Sequence, residues 1–290
     1  MRLIKMTGGL GNQMFIYAFY MQMHRRFKNT RIDLSDMMHY RVHNGYELHR
    51  IFNGLPEDEF CINQKAKKVI EFLFFKTILE RKQDLTTLAA FEQPRLWPLI
   101  YFKGFYQSER YFSGIADEVR AAFTFDEGKA NTSTLEMLRR IEADDHSVSL
   151  HVRRGDYLEP SVWRNTGCVC REEYYRDAVA YVKAKMQAPR FYVFSDDIDW
   201  AATHLDLPQA EFINWNAGTD SWQDMMLMSR CRHHVICNST FSWWGAWLGV
   251  NPDKMVVAPE RWSALSEMPY ICPESWVKLP VTLPDNLDEI

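Results

Sequence analysis

Short apolar runs alternate along this chain with longer segments whose apolar residues recur at helical spacing. Residues 2–6 read as a strand, which runs into Thr7-Gly8-Gly9-Leu10-Gly11-Asn12-Gln13 and then a long apolar helix over about 14–27. Val69, Ile70, Leu73, Phe74 and Ile78 keep helical spacing and predict a helix over 66–81. A strand is expected over 96–106, ending at Gly104, with Ser108 as N-cap of the next turn. Helices follow over 118–123 and 133–142, and Asp144-Asp145-His146 makes a polar break. Beyond it the pattern predicts strands at 191–194, 212–215 and 235–237. Helices are expected over 171–185, 222–232 and 243–248, and a long loop over 158–169 that carries Trp163, Arg164 and Asn165.

The chain is organised around SVSLHVRRGDY at 147–157, an apolar-alternating strand that ends in two arginines, a glycine and an aspartate. Period two puts His151 and Arg153 on one face, Val152 and Arg154 on the other. A guanidinium stays charged and presents a planar fork of donors that matches phosphate oxygens in pairs. Open α/β sheets bind ligands at the carboxyl edge of their strands, where these arginines fall. The competing reading is a local ion pair with Asp156 or Glu159.

Two helix starts look like anion cradles. The glycine turn before the first helix, with Gly9, Gly11 and Asn12, makes a nest of backbone N–H groups at a positive dipole end. Its spacing matches neither the dinucleotide fingerprint nor the P-loop, and a tight turn needing positive φ is the alternative. Asn238-Ser239-Thr240-Phe241-Ser242 delivers hydroxyl and N–H groups to a second helix, with Ser239 as N-cap alone as the alternative. Asp197 and Asp199 have the spacing of a carboxylate pair for Mn²⁺ or Mg²⁺. The reading preferred here is a cap at Ser195 or Asp196 with the remaining acids enriching the first helical turn. His39, His43 and His49 show no metal-ligand spacing.

At 290 residues the chain is long enough for two domains, here divided as 1–142 and 143–290. Residues are 47% hydrophobic, sufficient for globular cores. A formal net charge of −4 argues against nucleic acid as the main partner. The six cysteines, Cys61, Cys168, Cys170, Cys231, Cys237 and Cys272, lack zinc-ribbon or CxxC spacing and read as free thiols in a reducing compartment. Neither a signal peptide nor a membrane-length apolar run is present, so a cytoplasmic protein is expected, with peripheral membrane contact left open. The ten tryptophans could serve a sugar-binding protein that is no enzyme, although that reading makes no use of the paired arginines.

GGLGNQMF at 8–15, GFYQSERYF at 104–112, HVRRGDY at 151–157, FSDD at 194–197 and NSTFSWWGAWL at 238–248 together resemble the bacterial α1,2-fucosyltransferases. The blocks stand in family order and span nearly the whole chain. The resemblance implies an α/β, GT-B-like architecture of two facing Rossmann-type domains, with GDP-fucose bound mainly by the C-terminal one and the acceptor served by the N-terminal one. It also implies inverting transfer of L-fucose to the 2-hydroxyl of a terminal galactose on an oligosaccharide or glycolipid, with no metal and no other cofactor.

Residue by residue, the resemblance makes Arg153 the group that holds the β-phosphate, with Arg154 beside it as second charge or support. It puts His151 at the guanine end of the site. Asp224 lies where related enzymes carry an aspartate that reads the guanine edge, and Asp196, Asn238, Ser239, Thr240 and Phe241 line the donor. Gly9, Gly11 and Asn12 match the N-terminal loop that closes on it. Asp156 is either the general base or the partner that positions Arg153.

Overall fold

Two parallel sheets, one in each half of the chain, carry every strand in the computed structural model, which describes residues 1–37, 43–55, 59–60, 75–80 and 99–287. His39, Cys61, positions 66–74 and 81 of the expected helix and positions 96–98 of the expected strand lie outside these residues. The contacts divide the chain into Met1–Asp126 with Pro269–Ile271 and Glu127–Met268 with Cys272–Ile290.

In the first unit the strands are β1 (Arg2–Lys5), β2 (Thr30–Asp33), β3 (Glu59–Phe60), β4 (Lys76–Leu79) and β5 (Ile100–Lys103), in the order β3-β2-β1-β5-β4. Helix α1 (Leu10–Arg26) follows β1 and starts four residues earlier than the apolar pattern suggests, because Gly9 is already its N-cap. Phe15, Ile16, Phe19 and Tyr20 are fully buried, and Phe19 stacks on Tyr106 at 3.8 Å between ring centroids. β4 corrects the helix expected over 66–81: its last part, Lys76–Leu79, is a strand paired with β5 from Lys76↔Ile100 to Leu79↔Lys103. Ladder hydrogen bonds with an apolar neighbour strand outweigh the helical spacing of so short a run.

Gly104 ends β5 as expected. A Cβ there would lie 2.4 Å from the Glu80 Cβ, and the Glu80 carboxylate accepts from the N–H groups of Phe105 at 2.8 Å and Tyr106 at 2.6 Å. Ser108 caps the next turn through a hydrogen bond accepted from the Arg110 N–H, and its hydroxyl donates to the Tyr270 carbonyl at 2.6 Å. That contact joins Pro269–Ile271 to this unit.

The second unit begins with helix α3 (Thr132–Glu142), after α2 (Ala116–Ala122) has closed the first. The division therefore falls at Asp126/Glu127 rather than near Glu142. The reason is local: α3 buries Met137, Leu138 and Ile141, and its N-cap Asn131 is hydrogen-bonded to Asn216 and Gln223. Strands β6 (Ser147–Val152), β7 (Arg190–Ser195), β8 (Glu211–Ile213), β9 (His233–Val235), β10 (Val256–Pro259) and β11 (Val277–Leu279) pair in the order β11-β10-β9-β6-β7-β8. The order runs outward on either side of β6, so β6 and its neighbours form the middle of the sheet.

Helices α4 (Glu172–Lys185), α5 (Ile198–His204), α6 (Trp222–Arg230) and α7 (Thr240–Leu248) connect these strands. All of β6 is buried, and period two holds: Val148, Leu150 and Val152 join the apolar cluster with Tyr175, Val182 and Val193, while Ser149 and His151 meet other partners. Residues 158–169 are not a plain loop. A turn at Pro160–Val162 leads into a π-helical turn at Trp163–Gly167, packed so tightly that a Cβ at Gly167 would lie 2.0 Å from the Tyr157 carbonyl oxygen.

No helix among the described residues is long and apolar enough to cross a membrane. Cys168, Cys170, Cys231, Cys237 and Cys272 are free thiols.

Helices α6 and α7 approach closely at Gly245, where an added Cβ would stand 2.9 Å from the Met228 Cβ. Gly245→Val overfills this contact. Chemical denaturation should show a loss of about 1–3 kcal/mol in unfolding free energy with an unchanged m-value.

Candidate functional site

The carboxyl ends of β6, β7 and β9 lie side by side in the second sheet, so the residues that follow them share one edge. After β6 come Arg153, Arg154, Gly155 and Asp156. After β7 come Asp196 and Asp197, and after β9 come Asn238, Ser239, Thr240 and Phe241.

Arg153 is held from two sides. Its Nε donates to Asp156 Oδ1 at 2.9 Å and its NH2 group meets the same oxygen at 2.7 Å, while NH1 faces Asp196 Oδ2 at 3.0 Å. Three of a guanidinium's five N–H directions are thereby occupied, and two remain for a ligand. Burial works against this charge, and Asp196 and Asp156 more than offset it, raising the pKa above the usual arginine value. Asp196 also accepts from the Arg154 N–H at 2.8 Å. Gly155 is what lets that carboxylate in, since a Cβ there would lie 2.7 Å from Asp196 Oδ2. Asp196 is thus engaged through both oxygens with the β6 turn.

Arg154 points to the other face, as strand period requires. Its Nε donates to Asp197 Oδ2 at 3.0 Å and its guanidinium lies 4.1 Å above the Trp200 ring, whose far side stacks on His204. Asp197, not Ser195 or Asp196, caps α5: its Oδ1 accepts from the Trp200 N–H at 3.2 Å. Arg153, Arg154, Tyr157, Trp163 and Trp200 wall a cavity of about 210 Å³ inside this unit. The Trp163 indole N–H is buried and has no hydrogen-bond partner among the described residues.

His151 is 5% exposed, and its Nδ1 lies 3.3 Å from Cys237 Sγ. Burial lowers its pKa to about 4, and burial pushes the Cys237 thiol up to about 12, so both are neutral at neutral pH. Either Sγ or Nδ1 donates in this contact, according to the imidazole tautomer. The ring of Phe241 sits 5.7 Å away. Ser239 is the N-cap of α7 through the Phe241 N–H at 3.3 Å, and Thr240 is its first residue. Asn238 is only 1% exposed and faces inward: its amide donates to the carbonyls of Thr166 at 2.8 Å and Trp262 at 3.0 Å. The Tyr157 hydroxyl donates to the Asn238 carbonyl at 3.0 Å. Asn238 therefore ties the 163–167 turn to the tail.

Asp224 lies in the first turn of α6, where burial raises its pKa to about 7 against the lowering effect of a hydrogen bond from Asn216 at 2.8 Å. Sequence reasoning missed Asn216, Cys237 and Trp200. Asn216 could have been noticed as a polar residue just past the carboxyl end of a strand, the edge where ligands bind.

In the first unit, Gly9 caps α1 with no side-chain bond and Gly11 is buried in its first turn. Gly8 takes φ +83°, and a Cβ there would lie 2.8 Å from Asn12 Nδ2. Asn12 accepts from Gln107 Nε2 at 2.7 Å. Gln13 is fully buried and structural: it donates to the carbonyls of Gly8 at 2.9 Å and Gly45 at 2.7 Å, and accepts from the Glu47 N–H at 2.9 Å. His43, at φ 56°, places its ring over Gly9, 3.3 Å from where a Cβ would be.

The family model described as Glycosyl transferase family 11 matches residues 1–278. The chain is 31% identical over 288 residues to an alpha-1,2-colitosyltransferase of Escherichia coli, covering 95% of this chain and 97% of that protein. It is 29% identical over 160 residues to galactoside alpha-(1,2)-fucosyltransferase 1 of Lagothrix lagotricha, covering 52% of this chain and 43% of that one. Among solved structures, a FUT1 mutant of Arabidopsis thaliana in complex with GDP is similar with a TM-score of 0.49 at 10% identity, covering 95% of this chain and 76% of that one.

Because its folded-state pKa is raised, Asp224 contributes stability below the ordinary carboxylate range that is lost as pH rises to about 7. Thermal unfolding without nucleotide should show Asp224→Asn gaining on the wild type between pH 4 and 7, by at most about 1.4 kcal/mol per pH unit. The gain should level off above pH 7. A constant difference would remove the ionisation cost from Asp224.

Proposed function

This chain belongs to Glycosyl transferase family 11, and on that premise we propose that it transfers L-fucose from GDP-β-L-fucose to the 2-hydroxyl of a terminal galactose, with inversion. The observation that carries the reading is Arg153. Its guanidinium is fixed at the carboxyl end of the central strand, with N–H groups to spare for the β-phosphate. Charge accumulates on that phosphate as the bond to the anomeric carbon breaks. A donor already in place there lowers the barrier by roughly 3–4 kcal/mol in comparable sites.

The second unit is the donor side. A neutral His151 has one ring nitrogen to donate and one to accept, and the cap of α7 at Ser239, Thr240 and Phe241 offers hydroxyl and N–H groups for phosphate. Ionised Asp224 accepts from both the ring N–H and the amino group of guanine, a pair that adenine lacks.

The galactose enters from the cavity walled by Trp163, whose buried, unpartnered N–H suits a sugar hydroxyl. The acceptor is a galactose-terminated oligosaccharide or glycolipid. No metal is needed in this reading: the Asp197 carboxylate is engaged with Arg154 and the Trp200 N–H, which leaves it poorly placed to pair with Asp199 on an ion. Two contacts from Arg153 to one oxygen of Asp156 favour positioning over base catalysis for that carboxylate.

The 31% identity to an alpha-1,2-colitosyltransferase supports a second reading in which the transferred sugar is colitose. A donor panel with GDP-fucose and nucleotide-linked colitose, against free and lipid-linked galactosides, with product linkage read by NMR, separates the two.

With GDP-fucose in excess EDTA, Arg153→Ala should lower turnover about a hundredfold or more while leaving the fold intact. Near-normal turnover in a folded variant would return Arg153 to an ordinary ion pair, worth about 0–1 kcal/mol at a surface. Asp156→Asn should slow turnover and leave the acid limb of the pH-rate profile where it is. Disappearance of that limb would instead make Asp156 the general base.

A further inference from the structure

Behind Asp224 a file of polar side chains runs from α6 through the segment after β8 to the N-terminus of α3, all within the second unit. Asn216 is 9% exposed and donates from Nδ2 to Asp224 Oδ1 at 2.8 Å. Its own Oδ1 accepts from Asn131 Nδ2 at 2.8 Å and from Thr134 Oγ1 at 3.1 Å. Thr134 Oγ1 in turn accepts from the Trp215 indole Nε1 at 3.1 Å. Asn131 Oδ1 accepts from the Thr134 N–H at 2.9 Å, and the Asn131 N–H donates to Gln223 Oε1, next in sequence to Asp224, at 2.9 Å.

The direction of every bond in this file is forced. An indole nitrogen and a backbone N–H can only donate. Trp215 therefore occupies a lone pair of the Thr134 oxygen and turns the hydroxyl proton toward Asn216, and the Thr134 N–H fixes the Asn131 amide with its nitrogen toward Asn216. Two donors converging on Asn216 Oδ1 leave its amide nitrogen facing Asp224, and a flipped amide would set both against N–H groups. Hydrogen bonds aligned head to tail also strengthen one another in a buried setting.

A carboxylate has about four acceptor positions, and Asn216 fills one. Among the described residues it is the one side chain that hydrogen-bonds to Asp224.

We propose that Asn216 is a positioning residue for the nucleotide base: together with Thr134, Asn131 and Trp215 it fixes the Asp224 carboxylate in the orientation that accepts a pair of N–H donors from guanine. This rests on the reading that Asp224 meets the guanine edge. Asn216 does not touch the ligand itself. It acts by denying Asp224 other rotamers and by turning one oxygen lone pair away from the base, so guanine finds the remaining acceptors aligned. Inosine diphosphate, which lacks the 2-amino group, presents one donor of the pair and gains less from the alignment.

The test is isothermal titration of GDP and inosine diphosphate into wild type, Asn216→Ala, Trp215→Phe, Asp224→Asn and the double variant Asn216→Ala/Asp224→Asn, with donor KM and kcat alongside. Asn216→Ala should weaken GDP binding about tenfold or more, since a hydrogen bond to a charged group is lost. It should shrink the preference for GDP over inosine diphosphate, and raise donor KM while kcat at saturating donor stays within about twofold. The double variant should bind no more weakly than Asp224→Asn alone.

If Asp224→Asn keeps wild-type GDP binding, the guanine reading itself is wrong. If Asp224→Asn loses the preference while Asn216→Ala keeps it, the guanine reading stands and the proposal for Asn216 is overturned. Should Asn216→Ala fail to fold, Trp215→Phe decides the matter by removing only the far donor. It should shift the same preference in the same direction by about twofold, and an unchanged preference overturns the proposal.

Discussion

A half-buried cation at the end of a central parallel strand is held in one orientation only if counter-charges meet it, and the carboxyl edge of the second sheet is built around meeting Arg153. Asp156 reaches it from the turn that follows the same strand, and Asp196 reaches it from the next strand over. The glycine at 155 exists in this arrangement because any side chain there would push Asp196 out of contact. Arg154, one residue on, faces the opposite way by strand period and is fixed by Asp197 and the Trp200 ring. The backbone between two neighbouring strands is thus laced by two arginines and three aspartates. This gives an edge that would otherwise be a loose turn a single geometry.

Electrostatically the site has two ends of opposite character. Around Arg153 the charges are matched, and the positive end of α7 follows β9, the strand next to β6, at the same sheet edge, so an anion is favoured there. At Asp224 a carboxylate stands in a dry environment with one amide for company, which suits a ligand that brings its own donors. His151 is neutral because burial makes its charged form costly, and its partner Cys237 is neutral for the same reason. A guanosine diphosphate has this layout of charge: anionic at one end, a donor edge at the other. In the proposed reading the diphosphate meets the Arg153 end and the guanine edge meets Asp224, a pairing that an adenine nucleotide lacks.

Several motif residues also hold the site together. Gln13 and Asn238 are buried amides whose NH2 groups donate to backbone carbonyls, and each joins segments far apart in sequence. In Asn238 the joined segment is the 163–167 turn, which brings Trp163 to the cavity beside the arginines. Motif membership alone does not separate a residue that touches a ligand from one that keeps its neighbours in place, because both roles use the same polar side chains.

Strands β6 to β9 and most helices of the second unit, the cap at Ser108, the glycine turn before α1 and the alternation that separates Arg153 from Arg154 were legible in the sequence, whereas β10 and β11 were not, because the apolar pattern ended its strands at 235–237. The legible features are local matters of period, turn chemistry and capping, settled by residues within a few positions of one another. Tertiary contacts alone decided that Lys76–Leu79 is a strand, since its partner β5 lies more than twenty residues on. They also decided that α3 belongs with the second unit. Likewise only the fold could say that Asn216 stands behind Asp224, that Cys237 meets His151 and that Asp197 rather than its neighbours caps α5. The physical reason is the same in each case. Hydrogen bonding and burial are fixed by which distant groups the sheet order brings together, and no spacing along the chain encodes that order.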